Sequence, residues 1–250
     1  MGGFADKLRG QNIVVVGGSS GIGFGAAEAL LDVGAKVTIV SSSQEKIDAA
    51  VKRLASPDVK GVVADVRDEA AFIQALRSLA PVDHIVFSAV DNIIRGELAD
   101  LDLDGAKHLF GVKFWGAVIV GKAVSKHDII RKGGSLTLTS GTAGIRPGKG
   151  AAVGGALNGG VLSLTKGLAA DLSEKKIRVN TVVPGLVKTE LWDKQGKTPE
   201  QQKEIFEKGS QQLPVGFVAT GRDIAEAYLY AIRADYATGT LIEIDGGRLL

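Results

Sequence analysis

Ile13-Val14-Val15-Val16-Gly17-Gly18-Ser19-Ser20-Gly21-Ile22-Gly23 decides the fold, because an apolar run turns here through glycines into the start of a helix. Four branched apolar residues in a row suit a strand buried on both faces. Gly17 permits the tight turn, Gly21 lets backbone amides come close to a bound anion, and Gly23 lets the next helix pack against the strand. Free peptide N–H groups at a helix start make a cradle for a pyrophosphate.

Outward from this turn, short apolar runs alternate with amphipathic stretches. The runs predict strands at about 12–17, 36–40, 59–64, 82–88, 134–139, 177–183 and 240–244. Three- and four-residue apolar spacing predicts helices at 21–32, 44–54, 68–79, 101–126, 151–173 and 221–233. Pro57-Asp58, Gly133-Gly134, Pro184-Gly185 and Asp245-Gly246-Gly247 punctuate the element ends. The fold class is α/β, a Rossmann-type doubly wound parallel sheet of about seven strands flanked by helices. One domain over 1–250 is expected. The polar stretch from Lys188 to Gln212, anchored by Leu191, Trp192, Ile205 and Phe206, reads either as a helical lid or as a solvated excursion.

Composition removes several functions. With 30 Lys and Arg against 28 Asp and Glu spread along the chain, no basic patch tracks nucleic acid. Every apolar run is broken before the roughly 18 residues of a membrane span. The absence of cysteine excludes disulfides, thiolate metal ligands and a thiol nucleophile, and no metal site is expected. Met1 to Lys7 lacks the core of a signal peptide, and Asp6 stands where N-myristoylation wants Ser or Thr. A cytoplasmic location is the expectation.

The glycine turn is joined by Asp65-Val66 after the third strand, Ser140 after the fifth, and Asn180, Pro184-Gly185 and Thr189 after the sixth. Leu213-Pro214-Val215-Gly216 and Gly239-Thr240-Leu241-Ile242-Glu243-Ile244-Asp245-Gly246-Gly247 complete a pattern that resembles the short-chain dehydrogenase/reductase family over nearly the whole chain. The resemblance implies a nicotinamide cofactor held by Gly17, Ser19, Ser20, Gly21, Ile22 and Gly23, with Asp65 and Val66 at the adenine and Ala89 after the fourth strand. Pro184, Gly185, Val187 and Thr189 would hold the nicotinamide amide and the phosphate. Asp65 could instead cap the following helix. The second strand ends in Ser41-Ser42-Ser43, three hydroxyls with no carboxylate to repel a 2′-phosphate, which favours NADP(H) over NAD(H). An ordinary Ser cap is the alternative there.

The catalytic end departs from the family. Its reductases use a Tyr proton donor, a Lys four residues later, a Ser thirteen residues before the Tyr, and an Asn on the preceding long helix. Counting from Ser140 puts Val153 at the Tyr position and Leu157 at the Lys position, and no tyrosine occurs before Tyr228. Lys113 stands where the Asn belongs, and Phe87-Ser88-Ala89-Val90 replaces Asn-Asn-Ala-Gly. Ser140 and Lys113 are the catalytic candidates. Ser140 is expected as a hydrogen-bond donor to substrate or as a strand-end Ser satisfying backbone. Lys113 is expected as an electrostatic partner or as a surface or interface lysine. His84, His108 and His127 read as structural; Asp91, Asn92 and Arg95 are substrate-contact candidates or solvated loop. The glycine-rich start of the fifth helix lets another backbone approach closely, and the resemblance implies that it packs against a second subunit, so a homo-oligomer, a dimer or tetramer, is expected.

General-acid help is worth about a hundred- to ten-thousand-fold in such reductions, so losing the Tyr cripples ordinary ketone chemistry. The expected activity is NADP(H)-dependent reduction of a small organic substrate at a C=N, an activated C=C or an unusual carbonyl. The alternatives are a non-redox isomerase or cyclase that uses the dinucleotide structurally, and a non-catalytic dinucleotide-binding partner subunit.

Overall fold

A computed structural model describes Gly3 and residues 6–250. Of the N-terminal stretch read for targeting signals, Met1, Gly2, Phe4 and Ala5 lie outside the described residues. Seven parallel strands form the main sheet: β1 (Asn12–Val16), β2 (Lys36–Ser41), β3 (Val59–Val63), β4 (Val82–Phe87), β5 (Ile130–Thr139), β6 (Arg178–Pro184) and β9 (Leu241–Ile244). A two-stranded pair, β7 (Val187–Lys188) and β8 (Ala219–Thr220), lies apart from it. The order β3-β2-β1-β4-β5-β6-β9 reverses direction at β1, where β2 lies on one side and β4 on the other. Val16 pairs with both Val40 and Phe87, so these carboxyl ends finish level and open a crevice at the switch point.

Alternation explains the unbroken apolar run of β1. Ile13 and Val15 pack with Leu30, Ile39 and Tyr228 on one face, under α1 (Gly21–Asp32), α2 (Gln44–Leu54) and α8 (Gly221–Arg233). Val14 and Val16 pack with Phe72, Val120, Leu138 and Val161 on the other, under α3 (Glu69–Leu79), α5 (Gly116–Lys126) and α6 (Ala152–Asp171), while α4 (Leu103–Leu109) leads into α5 outside this cluster. A strand with helices on both sides needs apolar residues at every position. Truncating a fully buried member such as Phe72 to Ala should cost about 3–5 kcal/mol.

Two expectations need correction. The helix read as 101–126 begins at Leu103 and is interrupted by a π turn, Phe110–Trp115, between α4 and α5. Apolar periodicity assumes 3.6 residues per turn and cannot register one wide turn. Gly133-Gly134 does not precede β5 but lies inside it, where the pairing with β4 shifts register between Val82 and His84. A Cβ on Gly134 would meet the Asp83 carbonyl oxygen at 2.1 Å, so glycine marks a bulge there.

The Lys188–Gln212 stretch forms a 3₁₀ segment, Glu190–Gln195, and α7 (Pro199–Gln212), which opens on a Thr198/Gln201 capping box with Pro199 in its first turn. Trp192 packs edge-on to Phe206 at 5.6 Å and donates its indole N–H to the Val187 carbonyl. The expected anchors therefore tie the segment to itself and to β7.

Candidate active site

A cavity of about 700 Å³ opens at the carboxyl ends of β1, β2, β4, β5 and β6, within the range of ligand sites. Its floor is the glycine turn. Gly17 has φ +83°, and a Cβ there would stand 2.6 Å from the Ala89 backbone nitrogen, so the β1 and β4 ends close up only around glycine. Ser19, Ser20, Gly21 and Ile22 line the cavity, as do Ala89, Pro184, Gly185 and Thr189. Gly23 does not; it is buried behind the turn, against the Gly17 carbonyl. Val187 is also outside the lining, buried with its carbonyl taken by Trp192.

An anion already occupies the helix start. Gly21 N donates to the Glu190 carboxylate at 2.9 Å, and that carboxylate also lies 3.5 Å from the Arg53 guanidinium. Ser20, the N-cap of α1, makes no side-chain cap, which leaves the first amides to an outside acceptor. The glycine cradle and a carboxylate standing where a phosphate would sit both fit a dinucleotide.

At the adenosine end Ser41 and Ser42 line the cavity, with the Ser19 and Ser41 hydroxyls 3.2 Å apart. Ser43 does not; it caps α2 by accepting from Lys46 N at 3.3 Å. Two cations unnoticed in the sequence stand beside the serines. Lys46, Ala49 and Arg53 share one face of α2 and line the wall, a spacing of three and four that was legible. Arg53 also stacks 4.1 Å over the Phe24 ring. Asp65 and Val66 also line the cavity. Asp65 is not the cap of α3, since Asp68 accepts from Ala71 N. Its carboxylate is gripped by Arg67 at 2.6 Å, and that hydrogen-bonded ion pair holds the Asp65 carboxyl below the usual range.

The catalytic end gathers three residues. Lys113, placed by the π turn, donates through Nζ to the Asn158 side-chain oxygen at 2.8 Å and to the Ser140 carbonyl at 3.0 Å. Burial pushes its pKa down to about 8. Lys113 thus points into the cavity rather than out from the helix surface. Ser140 Oγ donates to the Asn158 carbonyl at 2.8 Å, which uses its single hydrogen. The expected donor to substrate is therefore engaged with backbone, and it fastens the end of β5 to α6. Asn158 was missed altogether; its amide nitrogen donates to the Gly154 carbonyl at 2.7 Å.

Of the two positions counted from Ser140, only one faces the cavity. Gly154 and Asn158, four residues apart on α6, line the cavity, whereas Val153 does not and Leu157 lines it as a buried apolar contact. A Cβ on Gly154 would meet the Ile94 carbonyl oxygen at 2.8 Å, so the loop after β4 closes over that position. The buried face Leu157, Val161, Thr165 and Leu168 could have set the register of this helix. Tyr228 is no substitute. It lies fully buried among the apolar side chains that include Val15 and Ile232, its hydroxyl 2.6 Å from Thr139 Oγ1, and burial pushes its pKa up to about 12.

Asp91, Asn92 and Arg95 line the cavity mouth. The 3₁₀ segment reaches across to them: Lys194 Nζ donates to the Asp91 carbonyl and Gln195 Nε2 to the Asn92 side chain, both at 2.7 Å. His108 links Asp91 to Arg67 behind this wall. His84 sits away from the cavity between Ser135 and Gln11, each at 2.8 Å. Among the described residues no cluster of His, Cys, Asp or Glu could hold a metal, and no helix is long and apolar enough to cross a membrane.

A family model described as an SDR-like Rossmann domain matches residues 4–250. The chain belongs to the short-chain dehydrogenase/reductase family. Within it, the short-chain dehydrogenase/reductase malC of Malbranchea aurantiaca is 33% identical over 260 residues, covering 98% of this chain and 97% of that protein. The structure of the MalC reductase/Diels-Alderase superposes with a TM-score of 0.88 at 31% identity, over 99% of both chains. A small-chain dehydrogenase in complex with NADPH gives 0.77 at 33% identity, over 95% of this chain and 98% of that one. The 3-ketoacyl-(acyl-carrier-protein) reductase from Brucella melitensis, complexed with NADH, gives 0.84 at 25% identity, over 97% and 100%. This short-chain dehydrogenase/reductase is an oxidoreductase by family, and its cavity fits the family's nicotinamide dinucleotide.

Proposed function

We propose that the protein is an NADP(H)-dependent reductase of a small organic substrate bearing a C=N, an activated C=C or an unusual carbonyl, with an active site that lacks the family's Tyr and Lys. The observation that carries this reading is the buried Lys113 ammonium in the cavity, opposite a helix face where Gly154 and Asn158 stand. Bound NADPH supplies the hydride. Lys113 stabilises negative charge that develops on the acceptor, while Ser140 and Asn158 hold it in place. Choice of NADP(H) over NAD(H) rests on Ser41 and Ser42 with Lys46 and Arg53 beside them, since two cations favour a 2′-phosphate. The NADPH-bound neighbour agrees with that choice, and the NADH-bound one shows that the family accommodates either.

The segment from Lys188 to Gln212 acts in this reading as a lid, because its Lys194 and Gln195 already bridge to the loop after β4. A second reading, cyclisation of a reactive substrate in the same pocket, is favoured by one finding, the neighbour described as both reductase and Diels-Alderase. Incubation with NADPH and a panel of cyclic imines, iminium ions, enones and diketones separates the two. NADPH consumption matched to reduced product supports the reductase; conversion with no change in NADPH supports the cyclase.

A further inference from the structure

The Lys113 ammonium carries three N–H donors. Two are engaged, by the Ser140 carbonyl and the Asn158 side chain, and the third has no protein acceptor among the described residues. Both acceptors are neutral, and no ionised side chain contributes to the lowering of its pKa, which comes from burial alone. Asn158 is the one side chain that fixes the direction of this ammonium. Its amide is itself fixed, because Nδ2 donates to the Gly154 carbonyl one turn earlier, leaving Oδ1 as the face presented to Lys113. The same residue's carbonyl accepts the Ser140 hydroxyl. Both polar groups of the catalytic end therefore hang from Asn158.

We propose that Asn158 is a positioning residue that aims the free N–H of Lys113 into the cavity, and that Lys113 is the proton donor of the reduction. The proposal rests on the reductase reading above and narrows its substrate class to a neutral acceptor, since a buried ammonium repels a preformed iminium. In the step, the acceptor's π bond breaks as the hydride that a bound NADPH would give up in becoming NADP+ forms the new C–H bond, and the electron pair moves to oxygen or nitrogen. The Nζ–H bond of Lys113 breaks, the O–H or N–H bond of the product forms, and a proton taken up from solvent restores the ammonium, so that one NADPH and one proton are consumed for each product. Near neutral pH a lysine with its pKa lowered to about 8 is still mostly protonated yet is a far better acid than an ordinary one.

The test follows the titration of Lys113 itself, so that it does not depend on having the right substrate. Protein carrying ¹³C at the lysine ε carbon, with the Lys113 signal assigned through Lys113→Arg, is titrated by NMR as wild type, Asn158→Asp and Asn158→Ala. NADPH affinity checks that each variant is folded. A carboxylate at 158 favours the charged form and should move the midpoint up by about one pH unit or more; loss of the acceptor should move it down. The pH above which hydride transfer falls should move in the same order. Identical midpoints in three folded proteins would overturn the positioning role, and midpoints that shift while the rate profile stays fixed would overturn Lys113 as donor. Failure of wild-type protein to reduce any acceptor in the panel is a separate result, and it would count against the reductase reading.

Discussion

The two ends of the cavity are built on different principles. The dinucleotide end is shaped largely by main chain: Gly17 closes on the Ala89 backbone and the first amide of α1 meets the Glu190 carboxylate. At the end we propose as catalytic, the polar groups are side chains that the fold brings together from afar, since Lys113 and Asn158 are 45 positions apart. A backbone cradle depends on glycine at fixed spacings and on a strand-to-helix turn, and it survives a change of substrate. A side-chain constellation can be reassigned one residue at a time while the scaffold stays the same. The comparison predicts that substitutions at the first end abolish binding and those at the second abolish turnover with binding intact.

The largest effect is expected for Gly21→Val. Gly21 has φ +55°, and a Cβ there would lie 3.2 Å from the Thr189 side chain, so a branched residue strains the backbone and crowds the anion site. NADPH binding by calorimetry should vanish while circular dichroism stays native; retained affinity would mean that the turn is structural only. Lys113→Met should come next, lowering kcat by about a hundred- to ten-thousand-fold with NADPH affinity little changed. If Kd rises instead, Lys113 belongs to the binding end and the division fails.

Smaller effects sharpen the binding end. Ser42→Asp should turn the NADPH preference toward NADH by about tenfold, or about 1.4 kcal/mol, because a carboxylate accepts from a ribose diol and repels a 2′-phosphate. Equal selectivity in both proteins would place the phosphate elsewhere. Glu190→Gln should strengthen NADPH binding by about two- to fivefold, since an anion at an exposed helix start is worth about 0.3–1 kcal/mol and here it competes with the ligand's own phosphate. Weaker binding in that variant would make Glu190 a contact rather than a competitor.

How much of this was legible in the sequence follows the same division. β1 and the glycine turn announced themselves, because burial on both faces and the steric need for glycine each leave a local mark. The cations of α2, Lys46 and Arg53, were also readable, since with Ala49 they share one helical face, but a charged helix face carries no mark of whether it meets solvent or a ligand. Ser43 looked like its neighbours and was spent on capping, which only the helix start could reveal. Lys113 could be found by position, but its burial depends on a π turn that leaves no trace in apolar spacing. Asn158 stayed hidden because a fixed count from Ser140 ended one residue short of it, and a polar side chain on a helix carries no mark of what lies opposite.

The most direct test of the central claim is isotopic. NADPH carrying deuterium at both C4 positions is incubated with wild-type protein and a neutral conjugated imine or enone, and the product is analysed by mass spectrometry. One deuterium on the acceptor carbon, formed with NADPH oxidation and suppressed by Lys113→Met, is the expected result. Product that forms without deuterium, or deuteride transfer that is undiminished in folded Lys113→Met protein, would contradict a reductase built on this lysine.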